Sequence, residues 1–89
     1  MTCYYRPRFV KELAALPTRE RRRVEHLAFT VAPAAATLQQ LAQVKPLHGY
    51  AHCFRIRVGD YRVGITMPES DVLIFERVRH RRDIYRVFP

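Results

Sequence analysis

From Phe54 to Val63 the chain alternates apolar and basic side chains: Phe54-Arg55-Ile56-Arg57-Val58, then Tyr61-Arg62-Val63. A period of two predicts β-strands with one dry and one wet face. Gly59-Asp60 separates the two runs. It is a hairpin signal, with glycine first as a type II′ turn prefers. Closing the hairpin there pairs Val58 with Tyr61, Arg57 with Arg62, Ile56 with Val63 and Arg55 with Gly64. Directly opposed residues share a face. Arg55, Arg57 and Arg62 therefore stand together, with side-chain-free Gly64 beside them.

Ahead of the hairpin the spacing changes. Cys3 to Arg6 reads as a short first strand. Pro7 suits the first position of a helix, and Phe9, Leu13 and Leu16 recur at i, i+4 and i+7 behind it. Pro17 ends that helix. Thr18 is placed to cap a second one. Its dry side is Val24, Leu27, Ala28 and Val31, with Arg19, Arg21, Arg22 and Arg23 left wet. The two helices form an antiparallel hairpin, and Pro33 breaks the second of them. Ala35, Leu38, Leu41 and Ala42 predict one or two further helical turns, and Lys45 to Ala51 a connector.

Three strands follow, at 52–58, 61–67 and 72–79, with a turn at 68–71 and a short helix within 80–88. The order is strand, helix, helix, then three consecutive antiparallel strands. This is an α+β fold with the helices on one sheet face. They cover Phe54, Ile56, Val58, Val63 and Ile65; the arginine face is left for a ligand. Glu76 is out of step. A four-residue turn at Pro68 places it opposite Val63, on the core face. A different turn register or a bulge resolves this, and the pattern leaves both open.

Eighty-nine residues make a single domain, 1–89. An apolar fraction of 48% with 27% charged residues argues against disorder. The net charge of +8, from 16 basic and 8 acidic residues, fits a nucleic acid or an acidic protein as partner. Of the basic residues only Lys11 and Lys45 are lysine. Arginine grips phosphate with paired donors and stacks on bases. Opposed like charges weaken a hairpin, so a chain that keeps them uses them on an anion. No apolar segment is long enough to span a membrane. No secretory signal precedes the first strand, so the cytoplasm is the expected compartment. Cys3 and Cys53 read as small strand-borne hydrophobes, and no CxxC or paired-His spacing calls for a metal or cofactor.

The combination of strand, helical hairpin and meander with Tyr-Arg-like strand chemistry narrows this further. The Phe54-Arg-Ile-Arg57 strand, Gly59-Asp-Tyr-Arg62 at the hairpin and His80-Arg-Arg-Asp-Ile-Tyr85 near the end together resemble the RelE/ParE toxin superfamily. The likeness is closest to the RelE-like toxins of type II toxin–antitoxin modules and covers essentially the whole chain. It implies the RelE-like fold and ribosome-dependent cleavage of mRNA, with loss of translation. In that reaction a 2′-hydroxyl attacks its own 3′ phosphate, giving a 2′,3′-cyclic phosphate and a 5′-hydroxyl. It also implies a cognate antitoxin, with the toxin monomeric when free and hetero-oligomeric with its antitoxin. Arg55, Arg57, Arg62, Arg79, Arg81 and Tyr85 match the family's functional positions. Some members carry lysine at the positions of Arg55 and Arg57.

Such chemistry needs charge stabilisation of a phosphorane, a base and an acid. Arginine serves the first and is a poor base. Arg57, Arg62 and Arg79 are the expected phosphate clamp, with Arg55 and Arg81 on flanking RNA. His80 and Tyr85 are the remaining catalytic candidates, His80 for proton transfer and Tyr85 for base stacking or proton donation. His80 also reads as a capping or core histidine. Two other functions fit the same residues. One is a ParE-like inhibitor of DNA gyrase; the other is a non-catalytic module that binds nucleic acid or an antitoxin.

Overall fold

The computed structural model describes residues 1–89. Strand β1 is Thr2–Tyr5, and Pro7 then opens α1, Pro7–Ala14. Phe9 and Leu13 on α1 are buried and Leu16 partly so. Helix α2 starts at Thr18 and runs Thr18–His26. Thr18 does not cap it: Pro17 holds the cap position and no side chain bonds there. Val24 and Ala28 are buried, as the helical spacing requires, while Arg19, Arg22 and Arg23 are exposed.

Pro33 does not break α2 outright. The helix passes through a π-helical stretch, Leu27–Val31, and a last turn, Ala32–Ala34. Pro33 has no N–H to offer the preceding turn, so the ladder loosens ahead of it. Ala32 N–H reaches back to Leu27 rather than to Ala28. The freed Ala28 carbonyl accepts the Tyr5 hydroxyl instead. The helical turns expected over Ala35 to Ala42 reduce to one 3₁₀ turn, Leu38–Gln40, which buries Leu38 between buried Ala35 and Leu41. Ala42 is exposed.

The expected connector contains a strand. Val44–Pro46 (β2) pairs antiparallel with β3, Cys53–Val58, and β4 is Tyr61–Glu69 and β5 Val72–His80. The sheet order is β1-β5-β4-β3-β2, with β1 parallel to β5 and the rest antiparallel. The β3–β4 hairpin has the expected register: Arg57 faces Arg62 and Arg55 faces Gly64. Gly59 takes φ 59, as the first position of a type II′ turn demands.

The strand β4 runs through Pro68, so the next turn is shorter than expected, with Glu69 facing Val72. Between the Gly64–Arg77 and Ile65–Phe75 pairs Glu76 is an extra residue, a bulge. Phe75 before it and Val78 after it both point into the core. Arg77 and Arg79 are thereby delivered to the other face, opposite Gly64 and Arg62. Glu76 itself accepts the Thr66 hydroxyl at 2.7 Å and Arg6 Nε at 3.1 Å, so it leaves the core and does not orient His80.

Helices α1 and α2 cover one face of the sheet. The other is not entirely open. Helix α3, Ile84–Val87, returns the chain so that Ile84 and Phe88 are buried. The Phe88 ring lies directly over Gly64: a Cβ there would meet ring carbons at 2.6–2.9 Å.

Candidate functional site

The hairpin tip is the centre of a basic cluster. Arg62 is tied to it by two bonds from Nη1, to the carbonyls of Gly59 at 2.9 Å and Tyr61 at 3.0 Å. That fixes a guanidinium that would otherwise lose rotamer freedom on binding an anion. Arg81 is brought to the same tip by its N–H, which donates to the Asp60 carbonyl at 2.8 Å. Its Nε lies 3.9 Å from the exposed Asp60 carboxylate, a contact of little energetic weight.

Burial holds Arg62 below the ordinary guanidinium value, and repulsion from Arg55, then Arg57 and Arg81, adds to it; Tyr85 acts in the opposite sense. Arg55, Arg57 and Arg81 are thus close enough for their charge to act on Arg62. Four guanidiniums with one tyrosine leave a strong positive potential on a small area. Tyr85 stands out from α3 with 56% of its surface exposed, between buried Ile84 and Phe88. An exposed ring on a pinned element beside guanidiniums offers a face on which a nucleic-acid base can stack.

Arg79 is on the same face, directly opposite Arg62 on β5. Its Nη1 donates to Glu12 of α1 at 3.3 Å, which turns it towards the edge of the sheet. His80 stands apart from the cluster around Arg62. It faces Tyr61 on the helix-bearing side, with the rings edge-on at 5.4 Å, and its Nδ1 accepts the N–H and Nε–H of Arg82. A hollow of about 270 Å³ beside it is lined by Glu12, Leu16, Tyr61, Arg79 and Asp83. The structure thus brings together Arg55, Arg57, Arg62, Arg81 and Tyr85, sets Arg79 at their margin and turns His80 away.

Two contributions were hidden in the sequence. Arg23, one of the wet helical arginines, reaches the tip: its Nη1 would lie 3.3 Å from a Cβ on Gly59. Glu12, the only acidic residue before Glu20, reaches Arg77 and Arg79. Burial alone would raise the Glu12 carboxyl, but bonds from Arg77, the Val78 N–H and Arg79 outweigh it and leave the group below its usual value. A second hollow, about 550 Å³, lies beyond Phe88 and is lined by Arg6, Arg8, Thr66, Glu76 and Arg77. No three His, Cys, Asp or Glu side chains converge as a metal-ligating group.

Residues 4–85 match the family model of the ParE toxin of the type II toxin–antitoxin system parDE. Toxin RelE3 of Methanocaldococcus jannaschii is 37% identical over 81 residues, 91% of each chain. The chain belongs to the RelE/ParE family of type II toxins. The toxin fold extends over nearly its full length. The RelB-RelE antitoxin-toxin complex from Methanococcus jannaschii superposes with a TM-score of 0.80 at 36% identity, over 97% of this chain and 99% of that one. The toxin-antitoxin complex RelBE2 from Mycobacterium tuberculosis gives 0.68 at 28%, over 90% and 96%. The isolated RelE toxin of E. coli, at 18% identity and TM-score 0.65, shares the fold. Within this family the present chain is a RelE-like toxin of a toxin–antitoxin system.

Proposed function

We propose that this toxin is a ribosome-dependent endoribonuclease that cuts mRNA by attack of a 2′-hydroxyl on the adjacent phosphate. One observation carries the reading: Arg55, Arg57, Arg62 and Arg81 converge on a strip of sheet edged by the exposed ring of Tyr85. Arg62, already tethered, faces the phosphate and stabilises the charge that builds on its equatorial oxygens. Arg57 and Arg79 flank it on the neighbouring strands. Arg55 and Arg81 hold adjoining phosphates. Tyr85 stacks on a base and so fixes the nucleotide for in-line attack.

Every group at the centre of the strip other than Tyr85 is a guanidinium, which hardly deprotonates. The protein therefore acts through charge and orientation: water takes the 2′-hydroxyl proton, and water returns one to the 5′ oxygen as its bond to phosphorus breaks. His80 has no part in this scheme. The partner that silences the toxin is an antitoxin, as in the RelB complexes of its relatives; its charge complements the net +8.

The test is primer extension on mRNA held on purified ribosomes, with wild type and Arg62→Ala. Wild type cuts within the A-site codon and the folded variant does not. Wild-type cutting by Arg62→Ala refutes the clamp. The match to a ParE family model supports one alternative, inhibition of DNA gyrase. Absence of cuts together with a block of gyrase supercoiling would establish that activity instead.

A further inference from the structure

Helix α1 brings a single carboxylate to the arginine face. Glu12 lies between buried Phe9 and Leu13, on the flank of the helix that meets β5. Strand β1 accompanies β5 only as far as Phe75. Beyond it that edge of β5 has no strand neighbour, and the Glu12 carboxylate takes the empty place. Its Oε1 accepts the Val78 N–H at 3.1 Å, as a β-strand carbonyl would. Arg77 binds it as a fork, Nε at 3.0 Å and Nη2 at 2.7 Å. Arg79 adds Nη1 at 3.3 Å.

The two arginines are engaged unequally. The Glu12 and Arg77 side chains are 15% and 14% exposed, against 39% for Arg79. Arg77 is a buried partner, while Arg79 gives Glu12 one N–H and keeps the rest of its five for a ligand. That bond draws the Arg79 guanidinium towards the β5 edge and keeps it apart from the like charge of Arg62, which leaves room for an anion between them. We infer that Glu12 is a positioning residue: it anchors the Arg79 guanidinium at the β5 edge, opposite Arg62, so that two strands grip one phosphate from both sides. This rests on the proposed cleavage of RNA, and Glu12 does not touch the substrate.

Charge counting makes the opposite forecast. Removing a carboxylate from a surface that binds a polyanion strengthens binding. A positioning role lowers kcat even as binding tightens. The test is Glu12→Gln, a neutral side chain of the same shape, assayed for ribosome-bound mRNA cleavage alone and with Arg79→Ala. The expected kcat falls about ten- to a hundredfold, with KM unchanged or lower. In the Arg79→Ala background the same change alters kcat by less than about twofold, because its route is already gone. An unchanged kcat in Glu12→Gln, or the same loss with and without Arg79, overturns the inference and leaves Glu12 a packing residue.

A wild type that cuts no RNA refutes the cleavage reading alone. The Arg79 Nη–H resonances then decide the anchoring of Arg79. Their broadening or loss to solvent exchange in Glu12→Gln supports the anchor, and unaltered signals overturn it.

Discussion

Gly64→Ala adds one methyl group at the place where the C-terminal segment docks. The new carbon would lie 2.6, 2.7 and 2.9 Å from Cδ2, Cγ and Cε2 of Phe88, closer than carbon atoms approach. Phe88 is 4% exposed, so its ring has no free side to retreat to without leaving the sheet. Overpacking of this kind costs about 1–3 kcal/mol. Alanine also stiffens the strand relative to glycine, returning about 0.5–1 kcal/mol. The net loss is about 1 kcal/mol, which lowers Tm by about 4–8 °C in a domain of this size. Calorimetry on Gly64→Ala, Phe88→Ala and the double variant checks the cause. Once the ring is gone, the added methyl should stabilise by about 0.5–1 kcal/mol, so the sign reverses. Tyr85 sits on the same short helix, and ring displacement should reduce RNA cleavage beyond the loss in stability. A Gly64→Ala protein that melts at or above the wild-type temperature refutes the argument. So does an equal loss with Phe88 absent.

Tyr85→Phe should keep most of the RNA cleavage, whereas Tyr85→Ala should lose about 1–3 kcal/mol of base stacking; equal losses in primer extension would assign Tyr85 to proton donation. Tyr5→Phe should destabilise by about 1–2 kcal/mol in urea melts, because the Ala28 carbonyl is left without its donor. Burial, with Cys3 beside it, pushes the Tyr5 phenol from 10.0 up to about 12, so folding favours its neutral form. That contribution is full below the unfolded value near 10.0 and is lost as pH rises through about 12; alkaline unfolding curves of wild type and Tyr5→Phe should converge over that window. The Glu12 carboxyl is depressed from 4.5, so its contribution is full above that pH and disappears as pH falls through the folded value. Acid unfolding of Glu12→Gln should lack this component, and an identical acid limb would contradict the Arg77–Glu12 pairing.

The hairpin could be read from the chain because alternation and turn chemistry agree. Phe54 to Val63 allows one register that keeps Ile56, Val58 and Val63 dry, and Gly59-Asp60 fits that register. Helix α1 was legible for the same reason, with Pro7 and the Phe9–Leu13 spacing pointing to one start and one face. Other features depend on partners distant in sequence. Pro33 signals a disturbance, but a π-helical turn instead of a break needs the Tyr5 hydroxyl, 23 residues upstream of Ala28, to receive the freed carbonyl. Strand β2 is three residues long and includes Pro46, so its pattern is too short to carry a period. His80 looked catalytic through its neighbours Arg79 and Arg81. Alternation sets it on the opposite side of β5 from Arg79, and only the bulge establishes which side that is. Gly64 did carry a signal, since glycine within a strand often marks the close approach of another group. The group proved to be Phe88, close to the end of the chain and outside the meander.

The extra residue at Glu76 gives β5 two halves of opposite parity. Ahead of it odd-numbered residues, Leu73 and Phe75, face inward; after it the even-numbered Val78 does. One half is thus answerable to the core and the other to the ligand, and neither constrains the spelling of the other. Removing Glu76 would leave a regular strand, with Phe75 still facing inward and Arg77 still opposite Gly64, because the residue lost is the one without a partner. The basic face of this toxin therefore keeps its side through the loss of that residue, which removes only the bonds of Glu76 to Thr66 and Arg6. On this strand the spacing of the arginines has meaning only when counted from the bulge.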